Sequence, residues 1–197
     1  MNDENINLNR FRHMKIKILF STILVGCLLS AFSQNSILFS ESFDTISDFN
    51  NWTQVNVSGN ADWNIMQGLP YGGFDDSQDG TTNAVFNSYN YNEDQTMLIS
   101  PIMDLSSVDV ALLSFYLLQP AWSLDLDNLT LYYRTSVNSQ WFELEVFENS
   151  IVEWKKQVVV LPDACQTYQI AFLAQSGYGY GIGLDHLSRI IHAISFV

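Results

Sequence analysis

The chain has 197 residues, an apolar share of 47% and a formal net charge of −13, which places it among globular proteins and excludes disorder for most of its length. Lys and Arg number 8 against 21 Asp and Glu. Phosphate binding needs the very cations that are scarce here, so nucleic acid and anionic membrane surfaces are excluded as partners.

Taken in order, the chain opens with a polar, unpatterned stretch from Met1 to His13, read either as an extended n-region or as lying ahead of a true start at Met14. Lys15 and Lys17, an apolar run from Ile18 to Leu29, and Ala31-Phe32-Ser33 then supply the three parts of a secretory leader. Residues 1–33 are therefore expected to be a signal peptide. An intact-mass spectrum of the secreted form is expected to begin at Gln34; a mass that begins at Met1 would overturn the leader. Leu24-Val25-Gly26-Cys27 also fits the pattern at which bacterial lipoproteins are cut, so a lipidated Cys27 anchored in a membrane is the alternative, opposed by Leu28-Leu29 continuing the apolar run. Asp3 and Glu4 are the leader's only acids, so 19 acids remain beyond it against Arg134, Lys155, Lys156 and Arg189, a net of −15. Such acidity suits an extracellular soluble domain or divalent cations. Cys165 is the one cysteine left, which allows no internal disulfide.

From Gln34 onward the periodicity is that of strands, with no convincing helix. Strands are expected at 37–43, 52–57, 60–66, 84–86 and 96–100, the last closed by Pro101, which cannot donate to a ladder. A polar turn runs through Asp48 and Asn51, and residues 67–82 read as a glycine-rich loop. The most apolar run, 110–118, predicts an interior strand with Leu113, Phe115 and Leu117 on one face. Strands at 127–135, 141–147, 154–161 and 168–174 follow, then a flexible Gly/Tyr loop from Gly177 to Gly183 and a closing strand through Leu184-Asp185-His186-Leu187. Strands every ten residues or so, with turn signals between them, predict an all-β fold, a jelly-roll β-sandwich of two antiparallel sheets in one domain from residue 35 to 197.

Several stretches, in order, resemble the cleaved-adhesin family, also described as the choice-of-anchor J domain and distantly similar to MAM domains. They are Ser40-Glu41-Ser42-Phe43-Asp44, Trp52, Trp63, residues 98–105, Leu113-Ser114-Phe115-Tyr116, residues 129–133, Trp154, Ile170-Ala171-Phe172 and Gly181-Ile182-Gly183-Leu184-Asp185. The resemblance implies a secreted or cell-surface adhesin-like module that binds glycan or protein and carries structural calcium. His186 stands where the family commonly has a second acid.

Calcium takes six to eight oxygens from carboxylates and carbonyls. Glu41 on the first strand and Asp185 on the last are the expected pair, meeting across one cation, with Asp44 and Asp62 as further ligands and Asp75, Asp76 and Asp79 as weaker ones. The bland reading makes all of them solvated surface acids. An enzyme alternative rests on Glu143-Leu144-Glu145-Val146-Phe147-Glu148, which is similar to the acidic strand of jelly-roll glycoside hydrolases, with Glu143 and Glu148 as the catalytic pair. Simple alternation puts Glu143 and Glu145 on a solvent face instead, and no catalysis is the expectation. Cys165, His186 and His192 form no motif of nucleophilic or zinc chemistry.

Aromatic residues carry the binding expectation, because sugars stack their pyranose faces on exposed rings while Asp and Asn take their hydroxyls. Tyr71, Phe74, Trp122, Tyr178 and Tyr180, with Tyr89 and Tyr91, lie in loops among Gly, Asn and Asp, whereas Trp52, Trp63 and Trp154 read as core. Loop tyrosines are also often plain packing.

Overall fold

The computed structural model describes residues 36–88, 92–108 and 110–192. The chain divides into two compact units, and the larger, Asn35–Ala193, holds every element described below. The leader, Cys27, Tyr89 and Tyr91 lie outside the described residues.

Eleven strands and one short helix follow in the order β1 (Ser36–Glu41), α1 (Ile46–Phe49), β2 (Thr53–Ser58), β3 (Trp63–Met66), β4 (Asn83–Phe86), β5 (Asn92–Ile99), β6 (Val110–Gln119), β7 (Asn128–Arg134), β8 (Phe142–Phe147), β9 (Ile151–Leu161), β10 (Gln169–Gly177) and β11 (Ile182–His192). The helix occupies the expected polar turn. Thr45 caps it, accepting from the Asp48 amide at 3.2 Å and donating to the Asp48 carboxylate at 2.7 Å, and it buries Phe49. One local hydrogen-bonded turn is too short to leave a 3.6-residue period in the sequence.

The strands form two antiparallel sheets. The first runs β3-β4-β11-β6-β9, with β1 paired to the far half of β11; the second runs β2-β5-β10-β7-β8. This is the expected jelly-roll sandwich. Between the sheets, Leu113, Phe115 and Leu117 of β6 are fully buried, and Phe115 meets Phe172 of β10 edge to face at 5.1 Å. The face read from the two-residue period is thus the core face, and β6 lies inside its sheet between β11 and β9. Trp52 and Trp63 are also core, the Trp63 indole donating to the Thr96 carbonyl.

The outer face of the first sheet is not bare. Val85, Leu118 and Leu69 are buried there with Met66, Phe74 and Trp154 packed against them. The covering layer is the long β3–β4 loop, residues 67–82.

Candidate functional site

Sixteen residues of loop without secondary structure would move freely unless tied down, and this loop is tied at four points. Asn83 accepts from the Gly68 amide at 2.8 Å and the Ser77 hydroxyl at 3.2 Å, and donates to the Gly68 carbonyl at 3.1 Å. Trp154 lies on the outer face of β9, donates its indole N–H to the Asp76 carbonyl at 2.9 Å, and fills the space above Gly183, where a Cβ would sit 2.7 Å from its ring. Asp185 accepts from the Gln78 and Asp79 amides, and Asp44 accepts from those of Thr81 and Thr82. Trp154, expected in the core, therefore packs in the outer-face cluster and not between the two sheets. Its period-two neighbours on β9 do not show that a loop, not the other sheet, covers that face.

The Gly/Tyr loop between β10 and β11 has its own anchor. Asp127, fully buried just ahead of β7, accepts through Oδ1 from the amides of Gly177 at 2.7 Å and Gly179 at 3.1 Å. Its Oδ2 accepts from Gly181 at 2.9 Å and from the Ser88 hydroxyl at 2.8 Å. Four donors converge on one carboxylate, so the loop expected to be flexible is held in one shape. Three of those donors come from glycines at alternate positions, and a Cβ on Gly179 would sit 2.6 Å from Asp127 Oδ2.

With both loops fixed, an aromatic residue of each comes into contact with the other. Phe74 and Tyr180 contact edge to face at 6.1 Å, and a Cβ on Gly72 would touch both rings. The Tyr180 amide donates to the Pro120 carbonyl, which joins this pair to the β6–β7 connection. There Trp122 and Asp125 exchange both backbone hydrogen bonds around a tight turn, with Ser123 at a φ of 60°. The turn holds Trp122 55% and Leu124 95% exposed; Tyr178 is 44% and Tyr71 40% exposed. Of the expected binding residues, Phe74 and Tyr180 are in contact, and Tyr71, Trp122 and Tyr178 stand exposed on the same three linked loops. Asp127, Ser88, Asn83 and Trp154, which hold those loops, were not singled out from the sequence as site residues. A signal for the first existed: Gly177, Gly179 and Gly181 at a period of two align their amides on one side of an extended chain.

The four acids proposed for a cation do not share one place. Glu41 points to the core, where its carboxylate accepts from the Phe43 amide at 2.9 Å and the Trp52 indole at 3.2 Å. Asp62 accepts from the Asn56 side chain; by register it sits level with Gly181 and four residues along from Asp185, about 13 Å at the rise of a strand. Asp44 and Asp185 remain, both holding the 78–82 stretch. Burial pushes the Asp185 carboxyl up to about 6, with the negative charge of Asp44 adding to it, whereas backbone hydrogen bonds, led by that of Thr81, hold Asp44 low. His186, at the bulge in β11 with a φ of 45°, places Nδ1 2.8 Å from Asp79 Oδ2. Among the described residues no three acids, histidines or cysteines converge as a metal centre. Asp44 and Asp185 nevertheless offer carboxylate oxygens, and Gln78, whose backbone amide donates to Asp185, has its Oε1 buried with no hydrogen-bond partner. That chemistry fits a hard cation completed by amide and backbone oxygens.

Glu143 lies on β8, an edge strand, and Glu148 follows its end. Five residues of extended chain separate them by about 16 Å, against the roughly 5–10 Å between the two carboxyls of glycoside hydrolases. They are not such a pair. Cys165 donates its thiol to the Thr135 carbonyl as a packing residue.

No family model matches the sequence, and no curated protein matches it. Solved structures do match. The K3 cleaved adhesin domain of Lys-gingipain from Porphyromonas gingivalis superposes with a TM-score of 0.56 over 80% of this chain and 99% of its own, at 13% identity. The chain has the cleaved-adhesin fold. The CBM22-1 xylan-binding domain of Paenibacillus barcinonensis Xyn10C matches with a TM-score of 0.54, 16% identity, and coverage of 83% and 99%. A CBM61 module in complex with β-1,4-galactotriose gives 0.53, 12%, 73% and 90%. The cleaved-adhesin fold is therefore shared with carbohydrate-binding modules, and at these identities the likeness speaks for the fold alone.

Proposed function

We propose that this is a secreted or cell-surface, non-catalytic binding module whose ligand end is the aromatic cluster, and that it recognises glycan. The observation that carries this reading is the exposure of Trp122, Tyr178 and Tyr71 on three adjoining loops, two of which are fixed from beneath by buried polar clamps. Rings held rigidly before the ligand arrives lose little entropy on binding. The leader supports export, and structures of this fold that bind galactotriose or xylan support a sugar.

Each stacked ring is worth about 0.5–1.5 kcal/mol beyond the area it buries. Trp122→Ala and Tyr178→Ala are accordingly expected to weaken glycan binding roughly 5- to 50-fold each, read on a glycan array and then by calorimetry. Unchanged affinity in both variants removes the aromatic end from the reading. Leu124, an aliphatic tip that cannot stack on sugar, favours a protein ligand as the second reading; a flat array together with binding to a matrix protein that is lost in Leu124→Ala would select it.

Calcium is proposed beside Asp44, Asp185 and Gln78, where it would offset the repulsion of two carboxylates and stiffen the 78–82 stretch. Chelation is expected to lower the Tm of metal-loaded protein by roughly 5–10 °C, the effect of removing a ligand present at about a hundred times its Kd. A melt indifferent to chelator discards the cation.

A further inference from the structure

We infer that the aromatic end selects uncharged glycan chains and rejects acidic ones, an inference that rests on the glycan reading above. The three loops that build this end, residues 67–82, 120–127 and 178–181, contain no Lys, Arg or His. They contain Asp75, Asp76, Asp79, Asp125 and Asp127, and the β8–β9 turn beside them adds Glu148, since Ser150 accepts from the Ala121 amide at 3.0 Å.

Two of these six are spoken for. Asp127 is enclosed by its four donors, and Asp79 is paired with His186. Asp75, Asp76, Asp125 and Glu148 form no ion pair among the described residues. No cation stands on these loops; the nearest, Lys155 and Lys156, follow Trp154 on β9, and the arginines lie further off. Arg134 ends β7, six residues or about 20 Å from Asn128, with its guanidinium bonded to Gln169 and stacked on Trp141 at 4.3 Å. Lys155 and Lys156 lie on β9, level with Leu117 and Tyr116, and Arg189 lies beyond the bulge in β11, paired with Leu113.

A uronate or sulfate brought to Trp122 or Tyr178 therefore finds no guanidinium or ammonium to bind it. It meets a mainly negative field instead, set by the carboxylates carried on these loops and opposed only by the lysines of β9. An uncharged chain meets the same aromatic faces with no such penalty.

The test uses the secreted chain and calorimetry against xylan, β-1,4-galactan, mannan and β-glucan. For each polymer that binds, a hydroxyethyl derivative and a carboxymethyl derivative of similar substitution are compared, the first as the control for bulk. The carboxymethyl form is expected to bind roughly tenfold more weakly at low ionic strength, with the gap closing as salt screens it. The variant D75N/D76N/D125N is expected to narrow that ratio without salt. A carboxymethyl polymer bound as tightly as its hydroxyethyl counterpart overturns the selectivity while leaving glycan binding intact. Failure of every glycan to bind overturns the glycan reading itself, and the selectivity with it.

Discussion

Replacing Asp127 by Ala is expected to lower stability by about 3–5 kcal/mol, because four donors, two of them buried and two part-buried, lose their shared acceptor at once. For a domain of this size that is roughly 6–20 °C in Tm. Gly177, Gly179, Gly181 and Ser88 would each have to find water or rearrange, and the loop carrying Tyr178 and Tyr180 would lose the one shape in which it meets Pro120 and Phe74. Binding should fall further than stability alone accounts for, since ligand would then have to order the loop. Asp127→Asn separates charge from shape: it keeps one acceptor oxygen but turns an N–H₂ toward N–H donors, and an intermediate loss is expected. A D127A variant with a melt within about 2 °C of the parent would show that the loop is held by something other than this carboxylate.

Trp154→Ala is expected to cost about 2–4 kcal/mol, a little under the range for a fully buried tryptophan because this ring is only partly covered. The consequence for binding differs from that of Asp127. Trp154 holds down the 67–82 loop, so its removal should free Tyr71 and Phe74 while leaving Trp122 and Tyr178 in place. Hydrogen exchange should then show the loss of protection confined to residues 67–82, with glycan affinity reduced and not abolished. Gly183→Ala is expected to give a milder version of the same result, because the added methyl meets the Trp154 ring at 2.7 Å and must displace it. Uniform loss of protection over both loops would place the weakness in the sheet and not in the strap.

What the sequence revealed and what it hid divide along a physical line. Strands were legible because a two-residue period is written locally: Leu113, Phe115 and Leu117 announce their face without reference to any other part of the chain. The loop position of the aromatic residues was legible as well, but not that Phe74 would pack onto the outer face of the first sheet while Trp122 and Tyr178 stay exposed. Asp127 was not, because three of its partners lie 50 to 54 residues later and the fourth, Ser88, 39 residues earlier, and nothing near Leu126 distinguishes a caged carboxylate from a solvated one. Glu41 shows the opposite error. Its strand was placed correctly, but the sequence does not record that Trp52 would claim its carboxylate for the core, and that separates it from Asp185. Trp154 was read as core without a side for a related reason: a face covered by a distant loop and a face covered by the opposite sheet have the same apolar signature.

The pairing of Ser36 with Ile191 places the two ends of the described domain side by side, at the end of β11 away from Ile182. Some nine residues of strand, about 30 Å, separate them from the aromatic loops. Fusion or tethering through either end therefore leaves the ligand surface pointing outward, and copies strung one after another would present their binding ends in parallel. On a repetitive ligand such an array gains through effective concentration what a single weak site lacks.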